Sequence, residues 1–203
     1  MGLYSDHLRP RLHNLALGTA GAREVRTRLC VGLAGDVLEI GYGSGLNQPH
    51  LPATVSGVWA VEPSTTALRL SEEPRSASCV PVVVAGDDAQ VLPFPDDRFD
   101  AAVCTWVLCG IPDPRAALAE VARVLKPGAS LHFVEHGLAP GPDVVRWQRR
   151  GNRINRAIAG CILDNDVHGL LEASPLTVTA LDNWYEKGAP RPAGYMYEGR
   201  ATA

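Results

Sequence analysis

The run Val37-Leu38-Glu39-Ile40 stops at Gly41, and glycine returns at Gly43 and Gly45. No other feature restricts the fold so much. Four strand-forming residues that end in alternating glycines read as a β-strand whose chain turns sharply at its carboxyl end. With no Cβ in the way, the turn can take backbone angles closed to other residues and bring its N–H groups close to a ligand. The pattern is G-x-G-x-G. The third residue after Gly43 is Leu46, so the dinucleotide fingerprint G-x-G-x-x-G is not met. A turn that binds nothing would use the same glycines.

Further apolar runs follow at 57–62, 80–85, 98–105 and 131–134, with strand candidates at 176–182 and 193–199. Helical spacing covers 22–33 through Val25, Leu29 and Leu33, and 114–125 through Ala117, Leu118, Val121 and Leu125. Lys126-Pro127-Gly128 reads as a helix stop. Helical stretches are expected at 142–160 and 166–173. Continuous apolar strands that alternate with helices call for a mostly parallel α/β sheet covered on both faces. Only a Gly/Pro-bearing link around 188–192 separates the last two strands, so they should pair as a hairpin and leave the last strand antiparallel. One domain over 1–203 is expected: a helical cover (1–34), a ligand-binding core (35–135), and substrate-side helices with the hairpin (136–203).

Composition removes several classes of function. The 203 residues carry 19 basic and 22 acidic side chains, a net charge of −3, with no basic stripe, so nucleic acid is not an expected partner. Cys30, Cys79, Cys104, Cys109 and Cys161 form no C-x-x-C pair and read as reduced thiols of a cytoplasmic protein. Neither a signal peptide nor an apolar stretch near eighteen residues is present, so no membrane association is expected. His132-Phe133-Val134-Glu135-His136 spells H-x-x-E-H, a zinc pattern only on a helix. Here it falls on a strand, which sets the two histidines about 13 Å apart, too far to share an ion. No metal is expected. Tyr4, Trp147, Trp184 and Tyr185 are candidates for an aromatic substrate wall or for core cover. Arg146, Arg149, Arg150 and Arg153 read as a solvated helix face or an attractor for an anionic substrate.

Glu62 closes the second strand about twenty residues beyond the glycine turn, where a carboxylate can accept both hydroxyls of a ribose. Nicotinamide and S-adenosylmethionine (SAM) sites both place an acid there, so these residues leave the ligand open. The stretch from Asp87-Asp88-Ala89 through Leu92-Pro93-Phe94 to Phe99-Asp100 narrows it. Together with Pro112-Asp113-Pro114 and Glu120-Val121-Ala122-Arg123-Val124-Leu125-Lys126-Pro127-Gly128, it resembles the methyltransferase-11 type of class I SAM-dependent methyltransferases over residues 37–135. That resemblance implies a Rossmann-like sheet of seven strands and SAM as cofactor. It also implies site roles. Glu39 would hold the methionine end of SAM, and Gly41, Tyr42, Gly43 and Gly45 would line it, with Asn47 nearby. Glu62 and Pro63 would face the ribose, Asp88 and Ala89 the adenine, and Thr105 the methionine portion. Tyr42 stands where a smaller residue is common and would narrow the mouth of the site.

Gly45-Leu46-Asn47, Val107-Leu108-Cys109, Val134-Glu135-His136, Gly160-Cys161, Trp147-Gln148 and Gly194-Tyr195 resemble a narrower branch, the small thiol S-methyltransferase-like group. A small-molecule acceptor, with sulfur as the methylated atom, is what that branch implies. Its substrate pocket would include Tyr4, Cys109 and Trp147, with His136 as the base. The chain departs from the branch in lacking the apolar N-terminal anchor of the animal members. It also carries Asn165 where an arginine is usual. The competing expectations are O- or C-methylation of a phenol or quinol, a non-catalytic SAM-binding protein, and a nicotinamide-dependent reductase. Oligomeric state leaves no mark in the sequence.

Overall fold

Every apolar run read as a strand joins one sheet. In the computed structural model, which describes residues 4–203, the strands are β1 (Gly35–Ile40), β2 (Val55–Val61), β3 (Val82–Gly86), β4 (Phe99–Thr105), β5 (Leu125–His136), β6 (Thr177–Tyr185) and β7 (Tyr195–Thr202). Their order is β3-β2-β1-β4-β5-β7-β6. The first five run parallel, and β7 lies antiparallel between β5 and β6. This is the Rossmann-like arrangement with the antiparallel last strand expected above.

Alternation along β1 divides the core in two. Leu38 and Ile40 face Ala117, Leu118 and Val121 of α5 (Pro114–Val124), whereas Val37 packs with Val25 and Leu29 of α2 (Ala20–Leu29) on the other side. Each of the buried valines, leucines and isoleucine among them contributes about 1.5–3 kcal/mol. Strand order reverses between β1 and β4. In such sheets ligands lie outside the carboxyl ends of the strands at that reversal.

The remaining helices are α1 (Arg9–Leu17), preceded by a π-helical turn at Tyr4–Leu8, α3 (Thr65–Leu70), α4 (Glu72–Ala77), α6 (Pro142–Ile158) and α7 (Val167–Glu172). Among them α1, α3 and α4 bury at most two residues each, so no apolar stripe announces them. The helix expected at 22–33 starts earlier, where Thr19 Oγ1 accepts from Ala22 N (3.3 Å), and ends at Leu29. β5 corrects another expectation. It begins at Leu125, not Leu131, because Leu125 already pairs with Phe99 and the register shifts before Ser130 pairs with Ala101. Among the described residues no helix is long and apolar enough to cross a membrane.

Candidate active site

A cavity of about 850 Å³ opens at the sheet's reversal point, bounded by the loops after β1, β2, β3, β4 and β5 and covered by α1 and the end of α6. At its centre is the glycine turn. Gly41 and Gly43 hold φ of +68° and +59°. Gly41 N–H donates to Val61 O (2.9 Å), which ties the turn to β2. Glu62 accepts from Gly43 N at Oε2 and from Ser64 N at Oε1, both at 2.8 Å. Burial raises its pKa, and those two backbone bonds only partly offset the shift. Each carboxylate oxygen keeps a second lone pair, so a ribose diol can still be accepted by a side chain already fixed in place.

Asn47 is 2% exposed and lines the cavity. Its Nδ2 donates to Glu39 Oε1 (2.8 Å) and Thr105 Oγ1 (3.2 Å), whereas its buried Oδ1 has no partner among the described residues. An orphaned acceptor beside a cavity fits the ammonium of a bound amino acid. Glu39 does not line the cavity; it stands behind Asn47, fully buried, and desolvation pushes its pKa up to about 8 against the pull of the Asn47 hydrogen bond. Arg26 of α2 lines the same end, 3% exposed, stacked on Trp106 at 4.8 Å. Desolvation pulls its pKa down to about 10. An arginine held there suits a carboxylate. Further along, Pro63, Asp88, Ala89 and Thr105 all face the cavity. Asp88 Oδ1 accepts from both nitrogens of Gln90 (2.8 Å each), which lower its pKa and keep it an acceptor.

Cys109, His136 and Cys161 meet at the opposite end, with ligand-type atoms all within 4.8 Å of one another. Three elements deliver them: the 3-10 turn Leu108–Gly110 after β4, the last residue of β5, and the loop after α6. The turn is fixed by Glu135, whose Oε1 accepts from Val107 N (2.6 Å) and Leu108 N (2.9 Å). His136 Nε2 lies 3.1 Å from Ile162 O. A carbonyl can only accept, so Nε2 carries a proton and donates. Hydrogen bonding with the Cys109 thiol holds Cys161 well below the usual thiol range, aided by His136, and pushes Cys109 up. Burial pulls His136 down, but Cys161 outweighs it and leaves the ring raised.

Three expected pocket residues lie elsewhere. Trp147 is 61% exposed on the outer face of α6, beneath Arg150, because its helical position points it away from the sheet. Tyr4 donates to Ile158 O (2.8 Å) and latches the first turn to the end of α6. Gly45 sits behind the cavity wall, against the Tyr42 ring. Tyr42 does not narrow the mouth. Its backbone lines the site, but the ring packs into the core at 2% exposure and donates to Gln48 Oε1 (3.3 Å). Trp184 and Tyr185 also lie off the cavity, and the Arg146 and Arg149 side chains pair with Asp143 and Asp164, the solvated-face reading. Asn165 is buried behind the cavity wall.

The helical cover expected over 1–34 includes α1, but its part in the wall through Arg9, Pro10, His13, Asn14 and Leu17 was not foreseen, nor were Arg26 and Trp106. Ser44 Oγ donates to Asn14 Oδ1 (2.6 Å), and His13 bonds Ala159 O (3.0 Å), so α1 bridges the glycine turn and α6. The thiol–imidazole cluster was missed too, since ligands were sought at close spacing. The cluster's three members come from distant parts of the chain.

Residues 38–133 match the family described as a methyltransferase domain. That match covers just under half of the chain and runs from β1, through the glycine turn and Glu62, into β5. Over 119 residues, 56% of this chain and 48% of the relative, the chain is 37% identical to thiol S-methyltransferase TMT1B of Rattus norvegicus. It is also 34% identical to demethylmenaquinone methyltransferase of Clavibacter sepedonicus over 125 residues, 61% of this chain and 51% of that one. The chain thus spans about half the length of the curated relatives it matches. Among solved structures, N-methyltransferase NodS of Bradyrhizobium japonicum in complex with S-adenosyl-L-homocysteine shares the fold. Its TM-score is 0.67 at 16% identity, over 91% of this chain and 88% of that one.

Proposed function

We propose that this protein transfers the methyl group of SAM to the sulfur of a small thiol. When bound, SAM supplies a methyl made electrophilic by its sulfonium. The residues present fit it: Glu62 takes the ribose hydroxyls, Asp88 the adenine amine, Asn47 Oδ1 the ammonium, and Arg26 the carboxylate. What Glu39 contributes is the acceptor, Oε1, that fixes the Asn47 amide from behind.

The observation that carries the thiol assignment is the make-up of the acceptor end. Cys109, Ile111, His136, Cys161 and Leu163 line the cavity there, and the carboxylates that line it, Glu62, Asp87 and Asp88, come from the loops after β2 and β3. A phenol or quinol acceptor, ionising near pH 10, would want a strong base there. A thiol, with a reference pKa near 8.5, already supplies a few per cent thiolate at neutral pH and needs mainly alignment and a dry pocket. His136, which lines the cavity, is the base in this reading. The likeness to a thiol S-methyltransferase supports the same reading.

The test is a comparison under saturating SAM of a small thiol, its oxygen isostere, a quinol and an amine, read by product mass. Methylation of the thiol first is expected. Preferred turnover of any other acceptor would defeat the thiol assignment, and turnover of none would leave a SAM-binding protein.

A further inference from the structure

The three reactive side chains at the acceptor end form a unit that methyl transfer by alignment alone does not require. Their two sulfurs and one imidazole nitrogen lie within 4.8 Å of one another. Zn–S bonds near 2.3 Å and Zn–N bonds near 2.0–2.1 Å in a tetrahedron space ligand atoms by about 3.4–3.8 Å. The cluster is therefore within about 1.5 Å of tetrahedral ligand spacing.

A frame around the cluster already holds it. His136 donates through Nε2 to Ile162 O (3.1 Å), the carbonyl partner that fixes the tautomer and ring direction of a metal-binding histidine. Asn155 Nδ2 donates to Cys161 Sγ (3.3 Å) and Cys161 O (2.9 Å). Ile162 N donates to Cys109 O (3.2 Å), which ties the second thiol's loop to the first. All three ligands line the cavity, so the fourth corner of a tetrahedron faces the acceptor space. Three protein ligands with an open position characterise catalytic zinc sites, whereas structural sites are closed by a fourth.

We propose that Cys109, His136 and Cys161 bind one borderline-soft divalent cation, zinc by preference, whose open position receives the sulfur of the acceptor. The second half of this statement rests on the thiol reading above; the site itself does not. On binding, the acceptor's S–H bond breaks and its proton passes to solvent. A sulfur lone pair then forms the new S–C bond as the sulfonium S–C bond breaks, and the electron pair stays on the departing thioether. Nothing is oxidised or reduced. The thioether product, neutral and a weaker ligand than thiolate, leaves the ion. In the loaded protein His136 is a ligand, and acidification of the acceptor belongs to the cation.

The experiment uses the full chain, reduced, stripped with a chelator and titrated with Co²⁺ as a coloured probe for zinc. One equivalent should bind with a thiolate-to-cobalt charge-transfer band, and Zn²⁺ should displace it. Cys161→Ser and His136→Gln, both at half-buried positions, should weaken binding at least about 100-fold, beyond the loss of an outer partner. Cys109→Ser should do the same if its thermal melt shows it folded. Cys79→Ser, at an exposed position outside the cavity, should change nothing. Absence of the band, or an unchanged band in Cys161→Ser, would overturn the site. A small thiol should then shift the cobalt d–d spectrum where its oxygen isostere does not, and no shift would overturn the acceptor role. Full-rate thiol methylation by stripped protein would also overturn that role while sparing the thiol reading. A protein that binds cobalt as expected but methylates only a quinol would sink the thiol reading and keep the cation site.

Discussion

Replacing Gly41 by alanine should unfold this protein more readily than any other single methyl added to the glycine turn. Two costs add at that position. Its φ of +68° lies in the left-handed region, where a Cβ costs about 1–2 kcal/mol. The new Cβ would also meet Val107 Cγ2 at 2.2 Å and Cγ1 at 2.7 Å. Val107 cannot yield cheaply, since it is stiff at χ1 and its N–H is held by Glu135 at 2.6 Å. Forcing an extra methyl into such a contact costs about 1–3 kcal/mol. Gly43→Ala isolates the first cost, because its φ is +59° and its Cβ would meet only Gly41 O at 3.8 Å. Urea unfolding should therefore show, net of unfolded-state entropy, a loss of about 1 kcal/mol for Gly43→Ala and about 2–4 kcal/mol for Gly41→Ala. Adding Val107→Ala to Gly41→Ala should remove the clash and give a favourable coupling of about 1–3 kcal/mol in a double-mutant cycle. Equal losses at the two glycines, or coupling within about 0.5 kcal/mol of zero, would refute the steric account.

Glu62→Gln should weaken SAM binding by about 1.5–3 kcal/mol in calorimetry, as for loss of a charged acceptor. Glu62→Ala should also lower stability by about 1–3 kcal/mol, because Gly43 N and Ser64 N lose their partner; an unchanged Kd in a folded variant would remove Glu62 from the site. Because burial raises Glu39 to about 8 in the folded state from an ordinary 4.5, its contribution to stability is full below pH 4.5 and is lost as pH rises through 8. The cofactor-free protein should therefore lose about 3 kcal/mol between pH 5.5 and 8.5 on this account, and Glu39→Gln should flatten that part of the profile; a variant with the wild-type slope would show another group at work. SAM and S-adenosyl-L-homocysteine should compete for the cavity while NADH does not, and equal or tighter NADH binding in the same titration would reverse the cofactor assignment.

How far the sequence could be read depended on whether a feature was local. Glu39 to Asn47 is one strand and one turn, and Glu62 ends the neighbouring strand, so periodicity and glycine spacing located the turn and the strand ends, while the roles of Glu39 and Asn47 came only with the family resemblance. The resemblance carried by Leu92-Pro93-Phe94 and Glu120-x-x-Arg123 turns out to describe one hydrogen-bonded unit. Arg123 donates to Phe94 O (2.9 Å) and Leu92 O (3.2 Å), while Glu120 Oε2 accepts from Leu92 N (2.8 Å). Those segments brace the loop after β3; they do no chemistry. Hidden from the sequence were features made by folding over long distances. Arg26 lies on a helix face that reads as solvated until the sheet covers it, and α1 buries nothing of its own. Trp147 shows the opposite error. Its apolar character suggested a wall, but the buried residue next to it is Gln148, whose Nε2 donates to Gly137 O (2.8 Å) and Leu163 O (3.0 Å).

The placement of β7 also governs how the chain must be made. Of the seven strands, Tyr195–Thr202 is made last, yet it occupies an interior column of the sheet, bonded on both sides. Until those residues emerge, β6 has no neighbour to pair with, and β5 offers an open edge from Ser130 to His136. A nascent chain paused before Tyr195 would therefore hold a formed five-strand parallel core with one sticky margin. Such margins recruit other chains. Synthesis is vulnerable in the interval between β6 and β7, and the hairpin turn near Gly188 is where that interval closes.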